Sequence, residues 1–139
     1  MKKKPTPATE PDGARQRLTA LRLALLKLHK TLLDSERVTY EKTVGPIQSP
    51  NHFLRLVTGD PWFAWLHPLS QLIVAMDEAL DAEGPLPPAT VDALARQSQL
   101  LLVASEKGEG FSGHYHEALQ RDPDVVLMHA DVVRLRKPK

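Results

Sequence analysis

The sequence predicts an all-α protein, an up-down bundle of about four helices with a short connector helix and disordered basic termini. Three observations carry that expectation. Leucines recur every three or four residues, proline follows a capping residue at Ser49-Pro50, Asp60-Pro61 and Asp122-Pro123, and no stretch alternates with period two long enough to be a strand.

The opening helix is expected over Asp12 to Val44, where Leu18, Leu21, Leu25, Leu28 and Leu32 follow a strict three-four spacing and form a seam like that of a coiled coil. Beyond Leu32 that spacing reaches Ser35 and Thr39, and the stripe of Leu26, Leu33, Tyr40 and Val44 takes over. The far half of the helix is therefore expected to bury a different face. Gly45-Pro46 ends it, since glycine suits the left-handed cap and proline cannot continue the ladder. A connector helix over Pro50 to Val57 carries Phe53, Leu54 and Val57 and stops at Gly59.

The next helix, Pro61 to Ala82, sets Trp62, Trp65, Leu69, Leu72, Met76 and Leu80 on one stripe, and Pro68 inside it predicts a kink. Another follows over Pro88 to Lys107, with Val91, Leu94, Leu101 and Leu102 inward and small Ala95, Ser98 and Ser105 allowing close approach. Gly108, Gly110 and Gly113 suggest a mobile loop around Phe111. A short helical turn over His114 to Arg121 and a final helix over Pro123 to Arg136, on Val125, Met128, Val132 and Leu135, complete the chain. Short connections set neighbouring long helices antiparallel. The expected organisation is one helical domain over 12–136, between a basic, proline-rich arm at 1–11 and a basic tail at 137–139.

At 139 residues the chain is long enough to bury a core without disulfides or a structural metal. It has no cysteine, which removes disulfides, thiolate zinc sites, iron–sulfur clusters and cysteine nucleophiles together. No apolar run approaches the roughly 20 residues of a spanning helix, and Met1 to Pro11 lacks the apolar segment of a secretory signal. A cytoplasmic protein with no membrane partner is expected. Of its 18 basic residues, seven lie at the ends (Lys2, Lys3, Lys4, Arg134, Arg136, Lys137 and Lys139), so the other 11 face 17 acids and leave the body at −6. Those tails could touch phosphates, but the acidic body and the lack of a nucleic-acid recognition motif argue against that partner.

Histidines are scattered over the predicted helices. His114, His116 and Glu117, with His129 from the last helix, are the metal candidates. Residues two apart on a helix face different ways, so His114 and His116 could share an ion only if their segment is not helical. The Glu-x-x-His pairs of di-iron bundles do not occur in the sequence. His29, Glu36 and Tyr40, at steps of seven and four on one stripe, are the candidates for holding a small ligand, metal or haem between helices. A buried carboxylate is costly unless paired, so Glu36 is expected at the edge of the stripe; were it inside, Tyr40 or Arg37 would satisfy it.

Trp62, Phe63 and Trp65 place three rings within four positions, with Phe63 off the stripe, so one ring is expected to need another surface. That makes the segment the candidate site for a protein partner, tryptophan being the commonest residue of binding hot spots. Gly-x-Ser-x-Gly and phosphate-loop motifs do not occur, and no dinucleotide fingerprint is read, because no strand is expected before the glycines at 108, 110 and 113; a small enzyme with a site at the Gly108 to Glu117 loop ranks third. The expected function is a non-enzymatic helical interaction module that binds another protein or itself, with the leucine seam as the surface for self-association. The alternative is a bundle that binds a metal, haem or small ligand through histidine, glutamate and tyrosine. No cofactor is identified.

Overall fold

Proline marks the start of every described helix except the one at Phe111, with a short capping side chain at several of them. The computed structural model describes residues 11–136. They form α1 (Pro11–Thr43), α2 (Pro50–Gly59), a 3-10 segment (Pro61–Leu66), α3 (His67–Asp81), α4 (Pro88–Leu101), α5 (Phe111–Arg121) and α6 (Pro123–Arg136). No strand occurs among the described residues. The fold is all-α as expected, but a count of about four helices is too low. Of the expected arm only Pro11 lies within the described residues, as the first residue of α1, and the tail lies outside them. Ser49 Oγ accepts from the His52 amide at 3.0 Å, Asp60 Oδ1 from the Trp62 amide at 2.8 Å, and Asp122 Oδ1 from the Asp124 amide at 2.9 Å. Each capping residue thus takes up a free amide at a helix start.

The long α1 is the spine, and α3, α4 and α6 all pack against it. Its seam of Leu18, Leu21, Leu25, Leu28 and Leu32 is fully buried, facing Leu69, Met76, Val91, Val125 and Val132. Polar contacts along the spine give the directions. Arg15 donates to the Leu80 carbonyl and Arg22 pairs with Asp77, so α3 runs opposite to α1. Arg17 donates to the Arg136 carbonyl at 3.1 Å while Arg121, just before α6, reaches Glu36, so α6 also runs opposite to α1. Arg17 pairs with Asp92 as well, which sets the start of α4 beside the start of α1.

The single helix expected over Pro61 to Ala82 is broken rather than kinked. Pro68 has no amide to give the Ala64 carbonyl and its ring crowds that turn. The preceding turns therefore tighten to 3-10 geometry, with the His67 amide bonded to the Ala64 carbonyl, and Pro68 falls in the first turn of a new helix, α3. The helix expected to reach Lys107 stops at Leu101, because Leu102 leaves helical geometry to turn its side chain into the core. The loop that follows is closed by the Ser105 amide on the Ser112 carbonyl at 3.1 Å. It is packed so closely that a Cβ on Gly113 would fall 2.2 Å from the Gly108 carbonyl oxygen. The extra turn this arrangement allows starts α5 at Phe111 instead of His114.

The far half of α1 follows the expectation only in part. Tyr40 is buried and Leu33 partly so, but Leu26 and Val44 are exposed, while Ser35 and Glu36 are covered. The first seam therefore continues into polar residues, where a partner from another helix meets it. No helix among the described residues is long and apolar enough to cross a membrane.

Candidate functional site

The 3-10 segment straddles two apolar clusters. With three residues per turn, Phe63 and Leu66 share one edge and Trp62 and Trp65 another. The first half of the segment serves a small cluster of Tyr40, Ile47, Leu56 and Phe63, and the second half enters the main core through Trp65 and Leu66. Phe63 is only 1% exposed, with its ring 5.7 Å from those of both Tyr40 and Phe53, and half-buried Trp62 meets Tyr40 edge-on at 5.5 Å. Trp65, 8% exposed, lies 5.2 Å from Phe111 and stacks on His114 at 5.2 Å. The surplus ring expected at Trp62, Phe63 and Trp65 is thus covered within the chain, by α2. Neither indole N–H has an acceptor among the described residues.

His29, Glu36 and Tyr40 share a stripe but not a site. Half-buried His29 has its pKa lowered by burial. Tyr40 belongs to the aromatic cluster. Glu36 is not at the edge: it is 6% exposed, and Arg121 donates through Nη2 to its Oε2 at 2.8 Å and through Nε to Ser35 Oγ at 3.0 Å. Arg37, the partner suggested by proximity, instead lies 3.8 Å from Glu41 and over the Phe53 ring. The missed residue is Arg121, for which the sequence carries only a general signal. A seam running into Ser35 and Glu36 calls for a cationic cover, and Arg121 sits in a last helical turn just before a proline start. Beside this pair opens a polar groove of about 380 Å³ that carries both charge signs, including Asp34, Lys42, Arg121 and Asp124.

The metal candidates are not gathered either. Their segment is helical throughout α5, which removes the condition under which His114 and His116 could share an ion. His114 is engaged with Trp65, Glu117 is exposed, and no three of His, Asp or Glu converge among the described residues. His129 instead meets Tyr115, its Nδ1 lying 2.7 Å from the phenol oxygen. Tyr115 is fully buried, and that burial raises its pKa against a smaller opposing effect of Arg136. The pKa of His129 is lowered, by burial first and by the Arg136 charge second.

A second concavity is open and uncharged. It lies between α3 and α4, has a volume of about 280 Å³, and is lined by Pro68, Gln71, Leu72, Ala75, Gln97 and Leu101. Beside it, Leu100 is 65% and Val103 50% exposed. Sequence reasoning placed Leu72 and Leu101 in the core and read Pro68 as a kink. The available signal was the step of three and four linking Pro68, Gln71, Ala75 and Glu78, a stripe free of large apolar side chains. The leucine seam of α1, in contrast, is closed off inside the chain and offers no surface. Comparison with known protein families, with curated proteins and with solved structures finds no match to this chain.

Proposed function

We propose that the chain is a non-enzymatic helical interaction module that docks a helical element of a protein in the groove between α3 and α4. In this reading residues 12–136 act as one domain whose long helices α1, α3, α4 and α6 alternate up and down, which leaves the α3–α4 pair with an outward face. The observation that supports it is the groove: six lining residues, none of them charged, with an exposed Leu100 at its rim. Exposed leucine beside a concave neutral surface is the chemistry that an amphipathic helix buries. The alternative, a ligand held by His29, Glu36 and Tyr40, loses support because those side chains serve separate packing environments.

A photo-crosslinking residue at Gln97 tests the reading, with one at exposed Lys27 on α1 as the control. A polypeptide adduct at position 97 that is absent at 27, and that disappears when Ala75→Arg fills the groove without loss of helical circular dichroism, is the expected result. No polypeptide adduct at position 97 overturns the proposal.

A further inference from the structure

We infer that the polar groove beside Arg121 is a binding site for a small ligand carrying one carboxylate and two cationic groups, the charge pattern of a free amino acid with a basic side chain. The groove, of about 380 Å³, runs along α1 from Thr31 to Lys42 and is walled on its other side by Arg121, Asp122 and Asp124, at the corner between α5 and α6. It shares no residue with the α3–α4 groove and does not rest on the docking role. What sets it apart from an ordinary charged surface is a cation held in place from behind. Arg121 donates through Nε to Ser35 Oγ and through Nη2 to Glu36 Oε2, and both acceptor residues are 6% exposed. A guanidinium has five donors in a fixed fork, and Nη1 meets no acceptor among the described residues. Because the side chain lines the groove, those remaining donors are available to a carboxylate there without further ordering.

Charge is sorted along the groove. Asp34 and Lys42 are eight residues apart on α1, about 12 Å by helical rise. Arg17 meets the Arg136 carbonyl, and Asp124 is 12 residues from Arg136 as Thr31 is 14 from Arg17, so on antiparallel helices Asp124 comes level with the Thr31 end. One end is therefore acidic and the other, at Lys42, basic, with Arg121 between them. Asp124 and Lys42 are exposed and form no ion pair among the described residues, and Asp34 is held only by exposed Lys30 at 3.1 Å. A simple anion drawn to Arg121 would meet the carboxylates of Asp34, Asp122 and Asp124, and a simple cation would meet Arg121 and Lys42; like charges brought together cost affinity. A carboxylate on Arg121 and Lys42, with cationic groups on the acidic end, satisfies both. Three acids against two bases in the lining favour a ligand with one net positive charge.

Amide NMR shifts of the full chain, titrated with L-arginine, with agmatine, which lacks the carboxylate, and with L-citrulline, whose side chain is neutral, test this. The expected result is a saturable response to L-arginine confined to Thr31 to Lys42 and Arg121 to Asp124, with agmatine and L-citrulline each binding about fivefold more weakly. Lys42→Ala should raise the dissociation constant of L-arginine about fivefold and leave that of agmatine unchanged, because it removes a carboxylate partner. Asp124→Asn should weaken L-arginine and agmatine together, because both carry the cations it receives. Both side chains are exposed, and unchanged circular dichroism verifies the fold of each variant. Shifts that do not saturate, that fall outside the groove, or that sodium chloride at the same ionic strength reproduces overturn the site. Agmatine or L-citrulline binding as tightly as L-arginine, or a Lys42→Ala variant that weakens agmatine as much as L-arginine, overturns the assignment of the ligand.

Discussion

The two apolar clusters that share α1 are built on opposite plans. The larger is aliphatic and gathers leucines of α1 with residues of α3, α4 and α6, up to about a hundred positions away along the chain. The smaller is aromatic and gathers Tyr40, Phe53, Trp62 and Phe63 from one continuous stretch. Residues that meet only when distant helices have come together lose their contacts only when the whole structure opens. A local cluster can detach alone, so α2 with the 3-10 segment is expected to open at a lower free energy than the spine. Amide exchange should show this directly, with protection over Leu18 to Leu32 exceeding that over Pro50 to Gly59.

Mutations can break or sharpen that contrast. The largest effect is expected for Leu28→Ala, about 4 kcal/mol for a fully buried leucine, seen as a lower denaturation midpoint and faster exchange in every helix. Phe63→Ala should cost about 3 kcal/mol, with faster exchange confined to α2 and the 3-10 segment; a uniform loss of protection along α1 would show that the two clusters are one unit. Gly113→Ala should cost about 2 kcal/mol by overpacking, because its Cβ would collide with backbone at Gly108, and denaturant titration measures it.

The Tyr115–His129 contact belongs to the larger cluster and supplies a pH handle. The folded-state pKa of His129 is depressed, so its stabilising effect is complete above the unfolded value of about 6.5 and is lost as pH falls through the folded value; His29 acts in the same direction. Tyr115 has a raised pKa, so its contribution is complete below about 10 and is lost as pH climbs toward the folded value. Tyr115→Phe should cost about 1 kcal/mol at neutral pH and remove its alkaline contribution, which urea titrations across the pH range would register. The smallest effect is expected at Trp62→Phe, within about 0.5 kcal/mol, because the indole N–H it removes has no acceptor among the described residues.

Much of the fold was legible in the sequence, and little of the site. The burial of Leu18 through Leu32 and the starts of α2, α4 and α6 at Pro50, Pro88 and Pro123 could be read directly. The place of Glu36 could not, because its partner Arg121 lies 85 residues away. Nor could the cover over Phe63, since a helical wheel assumes 3.6 residues per turn and the segment winds with three. The groove was legible only in part, as the stripe of Pro68, Gln71 and Ala75 without large apolar side chains. Its residues come from two helices, and the core residue Leu72 and the half-buried Leu101 reach its lining only through the packing of α3 against α4.

What the sequence by itself determined is the all-α character, the aliphatic seam and the capped starts, because each depends on residues within about four positions of one another, where backbone geometry alone sets the spacing. What only the tertiary structure decided is the early end of α4, the break at Pro68 into two helix types, the partner of Glu36 and the face left open between α3 and α4. Those depend on which distant surface arrives to exclude water, and apolar burial rewards any surface that fits, so spacing along the chain does not specify which one it will be.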